Sequence, residues 1–140
     1  MRSRAIIGVI CAAVMLTACA PTSQEGATNP LVDETEAETL ATAMLTAYTA
    51  DDPAGFSFAF TDSLRSSMDE TAFEQWRGPL FEATGDFVRI TDNRVMTGSS
   101  AGSIRYVFHA AFSKDDSVQF AIVFKAGTHH INRVEMKPDK

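Results

Sequence analysis

Few side chains in this sequence are of the types that do covalent, acid–base or metal chemistry. The 140 residues hold two Cys, three His, two Tyr and one Trp. His109 stands alone, and alternation along a strand turns it outward. His129 and His130 are adjacent, so on a strand they point to opposite faces and cannot share a metal. No His-x-x-x-His pair and no carboxylate cluster of ligand spacing occurs. Asp115 and Asp116 form a turn that would lack the other ligands of a calcium site. Ser63, Ser66 and Ser67 sit in no nucleophile motif, and no Gly-rich phosphate loop appears. No cofactor or metal is therefore expected. Tyr106 is the residue with a chemical option. A phenol inside a cavity can donate to an enolate oxygen, provided a carboxylate nearby moves the proton. Asp86, Asp92 and Glu82 are the candidates for that carboxylate, and alternation places none of them. The plainer reading is preferred: a core tyrosine whose hydroxyl finds a hydrogen-bond partner.

Cys19 is different, because its flanks say what happens to it. Arg2 and Arg4 precede an apolar run from Ala5 to Leu16. Spanning a bilayer takes about 20 apolar residues, so this run is too short for an ordinary membrane helix. It has the flanks and length of a secretory signal, with small residues Thr17 and Ala18 at its end. The stretch Leu16-Thr-Ala-Cys19 resembles the lipobox of bacterial lipoproteins. That resemblance implies removal of residues 1–18 and acylation of Cys19, including palmitate-type chains. One fatty chain holds a protein marginally and two hold it stably, at about 0.8 kcal/mol per buried methylene. Cys11 leaves with the signal peptide, so no disulfide and no Cys-ligated metal is expected. The expected location is the cell envelope, outside the cytoplasm and on the membrane. Ala20 is not the Asp that goes with inner-membrane retention, so resemblance to sorted lipoproteins implies the outer membrane where the host has one.

Cleavage leaves 122 residues, enough for one domain. The mature chain carries 10 basic and 18 acidic residues, net −8, which argues against nucleic acid and against adhesion to anionic lipid. The charge is uneven. Residues 25–92 hold 14 acidic and three basic residues, while residues 93–140 hold four acidic and seven basic. Two solvated halves explain this, although a dipolar surface that orients the domain over the membrane is the sharper reading.

The elements follow from period and punctuation. Residues 19–32 form a lipidated, polar tether with Pro21, Gly26 and Pro30, and a coil of about 13 residues reaches roughly 20 Å. Residues 33–140 form a single domain. Asp33 caps the first helix, with Glu36 completing a capping box. Ala37, Leu40, Ala41, Met44, Leu45 and Tyr48 make its buried face. Asp52 and Pro53 start a short helix that buries Phe56, Ala59 and Phe60. A third helix begins near Asp69 with Phe73, Trp76 and Leu80 in phase. Pro79 predicts a kink or two short helices there, because an interior proline costs about 3 kcal/mol. Gly85 is the expected left-handed stop. Beyond it the period becomes two. Four strands are expected, joined by turns at TGSSAG, KDDS and KAGT into an antiparallel meander. Ile131 is out of phase with Val134 and Met136, which predicts a bulge.

Three helices followed by four strands predict an α+β fold with helices on one face of the sheet. The run from Tyr48 to Ile90 resembles a small extracytoplasmic domain of unknown function. Its stations here are Asp52, Phe60 to Leu64, Gly85 to Phe87, and Ile131 to Val134. That family is similar to the nuclear transport factor 2-like, or cystatin-like, superfamily, which implies a curved sheet wrapped round helices into a cone. Pro79 departs from the unbroken third helix of that pattern. If the cone is hollow, Tyr48, Phe60, Trp76, Tyr106, Phe108 and Phe120 line it. Fold alone does not choose a function. The expected function is a membrane-anchored, non-catalytic binding or accessory domain for a small apolar ligand or an envelope protein. The alternative is an isomerase- or dehydratase-like enzyme that uses the cavity. A weak homodimer through the outer sheet face around Val107 and Ala111 is also expected.

Overall fold

The computed structural model describes residues 32–97 and 103–139, and the side chains of Arg94 to Thr97 lie outside what it describes. The expected signal peptide, Cys19 and the expected tether to Leu31 also lie outside the described residues, as do residues 98–102 of the expected TGSSAG turn. The chain runs α1 (Glu34–Thr49), α2 (Pro53–Ser57), α3 (Asp62–Ser67), α4 (Glu70–Thr84), β1 (Phe87–Thr97), β2 (Ile104–Phe112), β3 (Val118–Phe124) and β4 (Ile131–Lys137). The fold is α+β, with an antiparallel sheet in the sequential order β1-β2-β3-β4.

Among the described residues there are four helices where three were expected. Thr61 caps the additional one, α3, by accepting from the Leu64 amide, and Arg65 donates to the Phe58 and Phe60 carbonyls. A six-residue helix with no buried residue leaves almost no apolar period to read. Of the two outcomes expected at Pro79, the division into two short helices is corrected, because α4 continues through it to Thr84. Phe73, Trp76, Leu80 and Phe81 all pack on the core, and that packing offsets the one backbone bond the proline forfeits. Asp33 caps α1, accepting from the Glu36 amide at 2.7 Å. The reciprocal half of the capping box is absent, because Glu36 Oε1 lies 2.8 Å from His129 Nδ1 instead.

Tyr106, Phe108, Ala110 and Phe112 of β2 and Val118, Phe120, Ile122 and Phe124 of β3 face the helices and are buried. The bulge predicted near Ile131 is present: Phe124 pairs with Ile131 and Val123 with Arg133, leaving Asn132 as the extra residue. Two more irregularities, between Phe87 and Arg89 and between Ile90 and Asp92, bend β1. The helical layer is tied to β4 through Phe60 and Ile131. The Thr61 amide donates to the Ile131 carbonyl, and the Ile131 amide to that of Ala59, both at 2.8 Å.

Candidate functional site

The six residues expected to line a cone are packed against one another and against the rest of the core. Tyr48, Phe60, Tyr106, Phe108 and Phe120 are buried, and Trp76 is partly buried against them. Tyr48 meets Trp76 and Phe112 edge to face with ring centroids 6.0 Å apart. Phe60 meets Phe56 at 5.7 Å, and Tyr106 meets Phe124 at 5.8 Å. Edge-to-face pairs of this kind add about 0.5–1.5 kcal/mol each beyond burial.

Both phenols are committed to partners inside the fold. The Tyr106 hydroxyl donates to the Val32 carbonyl at 2.5 Å. Val32 is itself 1% exposed, so the folded domain includes it. Burial raises the Tyr106 pKa above 10.0, helped by the negative charges of Asp33, Glu34 and Glu36. The Thr84 hydroxyl gives its proton to the Leu80 carbonyl, so Tyr48 is the donor in its 3.1 Å contact with Thr84. Burial raises the Tyr48 pKa as well, against the opposing effects of Thr84 and Arg77. A phenol held neutral can donate to an oxyanion, but the Tyr106 proton already has an acceptor. The carboxylates considered for it are elsewhere. Asp92 lies beside His109 on the other face of the sheet, at 4.0 Å. Glu82 and Asp86 are exposed near the far end of β2, where their carbonyls accept from Lys114 and Ser113. Asp115, by contrast, is 3% exposed and accepts from the amides of Ser117 and Asp139, which closes the β2–β3 turn and holds the C-terminal segment. Among the described residues no group of three His, Cys, Asp or Glu is placed to hold a metal ion.

Concave surface occurs where α1 passes β1. A cleft of about 520 Å³ is lined by Glu34, Thr35, Glu38, Thr39, Thr42, Ala43 and Asn93. A second, of about 220 Å³, is lined by Glu38, Ile90, Thr91, Asp92 and Asn93. The Asn93 amide donates to Glu38 Oε2 at 2.9 Å, so this bond stands between the two clefts. None of the six expected lining residues borders either cleft. The chemistry here is carboxylate, hydroxyl and amide, open to water, which suits hydrogen-bond donors and not an apolar ligand. Sequence reasoning passed over it because it followed only the buried face of α1. The signal was present: Thr35, Thr39, Thr42 and Thr46 recur along one exposed stripe of the helix. Thr39 and Thr46 turn their hydroxyls back to the carbonyls of Thr35 and Thr42.

Arg77 of α4 joins the helical layer together. Its Nε donates to the Tyr48 carbonyl at 2.6 Å and Nη2 to that of Thr49 at 3.3 Å, which satisfies the open end of α1. The guanidinium also lies 4.2 Å from the Phe81 ring centroid. This is a structural use of a cation.

No protein-family model matches the chain, and no curated protein matches it. No helix among the described residues is long and apolar enough to cross a membrane.

Proposed function

We propose that this chain is a lipid-anchored lipoprotein of the cell envelope whose domain binds or supports a partner without catalysis. The observation that carries the reading is Leu16-Thr-Ala-Cys19, placed directly after a signal-like apolar run and directly before a polar tether. Cleavage before Cys19 and acylation of its sulfur would leave the domain on a tether of 13 residues, Cys19 to Leu31, ahead of Val32. The non-catalytic part is supported by the state of the interior. Both tyrosine hydroxyls are engaged, and no carboxylate among the described residues hydrogen-bonds to either. The aromatic packing among the described core residues favours action through the surface over capture of an apolar ligand inside. The one-sided helical layer and the bulged sheet support the cone-like, nuclear transport factor 2-like shape as the finer description of the fold. Feeding cells an alkyne-tagged palmitate analogue tests the anchor. The native chain should take up the label and Cys19→Ala should not. Equal labelling of both, or labelling of neither, would remove the reading.

A further inference from the structure

No helix among the described residues packs on the outer face of the sheet, and the register lays out its side chains in rows. Asp92, His109, Gln119 and Lys137 form one row, and Arg105, Val123 and Arg133 lie in another. Between them Val107 pairs with Ala121, which pairs with Glu135, and Arg89 lies opposite Ala111. Val107 and Ala121 are each only 2% exposed, although no helix or strand among the described residues lies over this face. Arg105 Nη2 lies 2.9 Å from Glu135 Oε2, and Arg133 Nε lies 2.7 Å from Oε1 of the same carboxylate. One negative charge is therefore shared between two guanidiniums. Arg89 and Lys137 are exposed and make no ion pair among the described residues, and Arg105 Nε is buried without an acceptor. The face is thus basic. The helical side is the opposite: residues 33–86 hold 12 acidic residues against Arg65 and Arg77.

We propose that this basic sheet face rests on the anionic headgroups of the membrane that holds the chain. The proposal builds on the lipid anchor at Cys19. The net charge of the whole chain argues against such contact, but a surface meets the face turned toward it, because charges beyond about 8 Å are screened at physiological salt. The helical side, with its acidic excess, is then turned away. On the anchor reading, the 13 residues from Cys19 to Leu31 hold the domain near the bilayer, so contacts too weak to recruit a free protein can still orient it. A second copy of this chain is a poor occupant, since pairing the two sheet faces would bring like charges together.

The test uses the lipidated full chain reconstituted in vesicles of phosphatidylcholine alone or mixed in equal parts with phosphatidylglycerol. Acylation blocks the natural thiol, so fluorophores go on Gln119→Cys, on the sheet face, and Glu74→Cys, on the helical face. A quencher attached to the lipid headgroups reads which face is down. Quenching at position 119 should rise severalfold in the mixed vesicles and not in phosphatidylcholine, while position 74 should not change. Each cation contributes about fivefold to such a preference, so Arg133→Glu with Lys137→Glu, or high salt, should abolish it. Equal quenching at both positions in both lipids would overturn the proposal. So would shielding of position 119 in native membranes but in neither vesicle, since the occupant would then be a protein. Flotation with phosphatidylcholine alone reads the anchor separately. If it fails, the anchor reading falls and this proposal with it; if it succeeds while quenching at position 119 does not rise in the mixed vesicles, the proposal alone falls.

Discussion

Tyr106→Phe tests whether the chain's most chemically capable side chain serves the fold. The variant keeps the ring and its contacts with Phe108 and Phe124, and it removes the donor to Val32. The carbonyl left behind belongs to a residue that is 1% exposed. An unpaired buried acceptor costs about 1–3 kcal/mol. Val32 directly follows the polar tether, so local opening can admit water, and the lower half of that range applies: about 1.5 kcal/mol. With a urea dependence of about 1.5 kcal/mol per molar, the unfolding midpoint should fall by about 1 M. The thermal midpoint should fall by about 6–10 °C. Trp76 is the single tryptophan and sits against Tyr48 and Phe56 in the core, so its fluorescence reports the transition without a label. A midpoint equal to or above that of the parent protein would refute the reasoning, since the hydroxyl would then be unnecessary to the fold.

Both tyrosines of the chain have pKa values raised above 10.0, chiefly by burial. A raised folded pKa gives stability that is complete below the unfolded value and is lost as pH rises through the folded value. The urea midpoint should therefore hold steady to about pH 9 and fall above pH 10, and ultraviolet titration should show both phenols ionising later in native protein than in urea. Gly85 has φ of 72° and ψ of −149°, a conformation open essentially to glycine, and a Cβ there would collide with Ser113 Oγ. Gly85→Ala should cost about 2–3 kcal/mol by denaturant titration. Arg77→Lys keeps the charge but loses the fork that holds the Tyr48 and Thr49 carbonyls, and it should cost about 1–2 kcal/mol. Asp115→Ala leaves the Ser117 and Asp139 amides without their acceptor, and a loss of about 2 kcal/mol should appear in the same assay.

The order of elements was legible wherever one short-range cause dominated. The caps at Asp33 and Asp52 each accept from the amide three residues on, as the sequence pattern implies. The period-two strands were legible because one face is buried, and the bulge at Asn132 showed as a phase slip between Ile131 and Val134. Features set by distant contacts were not legible. Glu36 leaves its capping box for His129, 93 residues away in sequence. α4 runs through Pro79 because tertiary packing outweighs a local penalty. α3 buries no residue, so hydrophobic periodicity had nothing to register. For the site, the aromatic residues were correctly read as inward-facing, yet periodicity cannot separate a filled interior from a hollow one. The α1–β1 clefts lie between two elements distant in sequence, and the basic sheet face comes from register across four strands. Neither is a property of any one segment.

The intact mass of the protein extracted from its native membrane tests the central claim most directly. The account predicts a chain that begins at Cys19 and carries the added mass of two or three fatty acyl chains. A chain that retains Met1, or one that begins at Cys19 with an unmodified thiol, would contradict it.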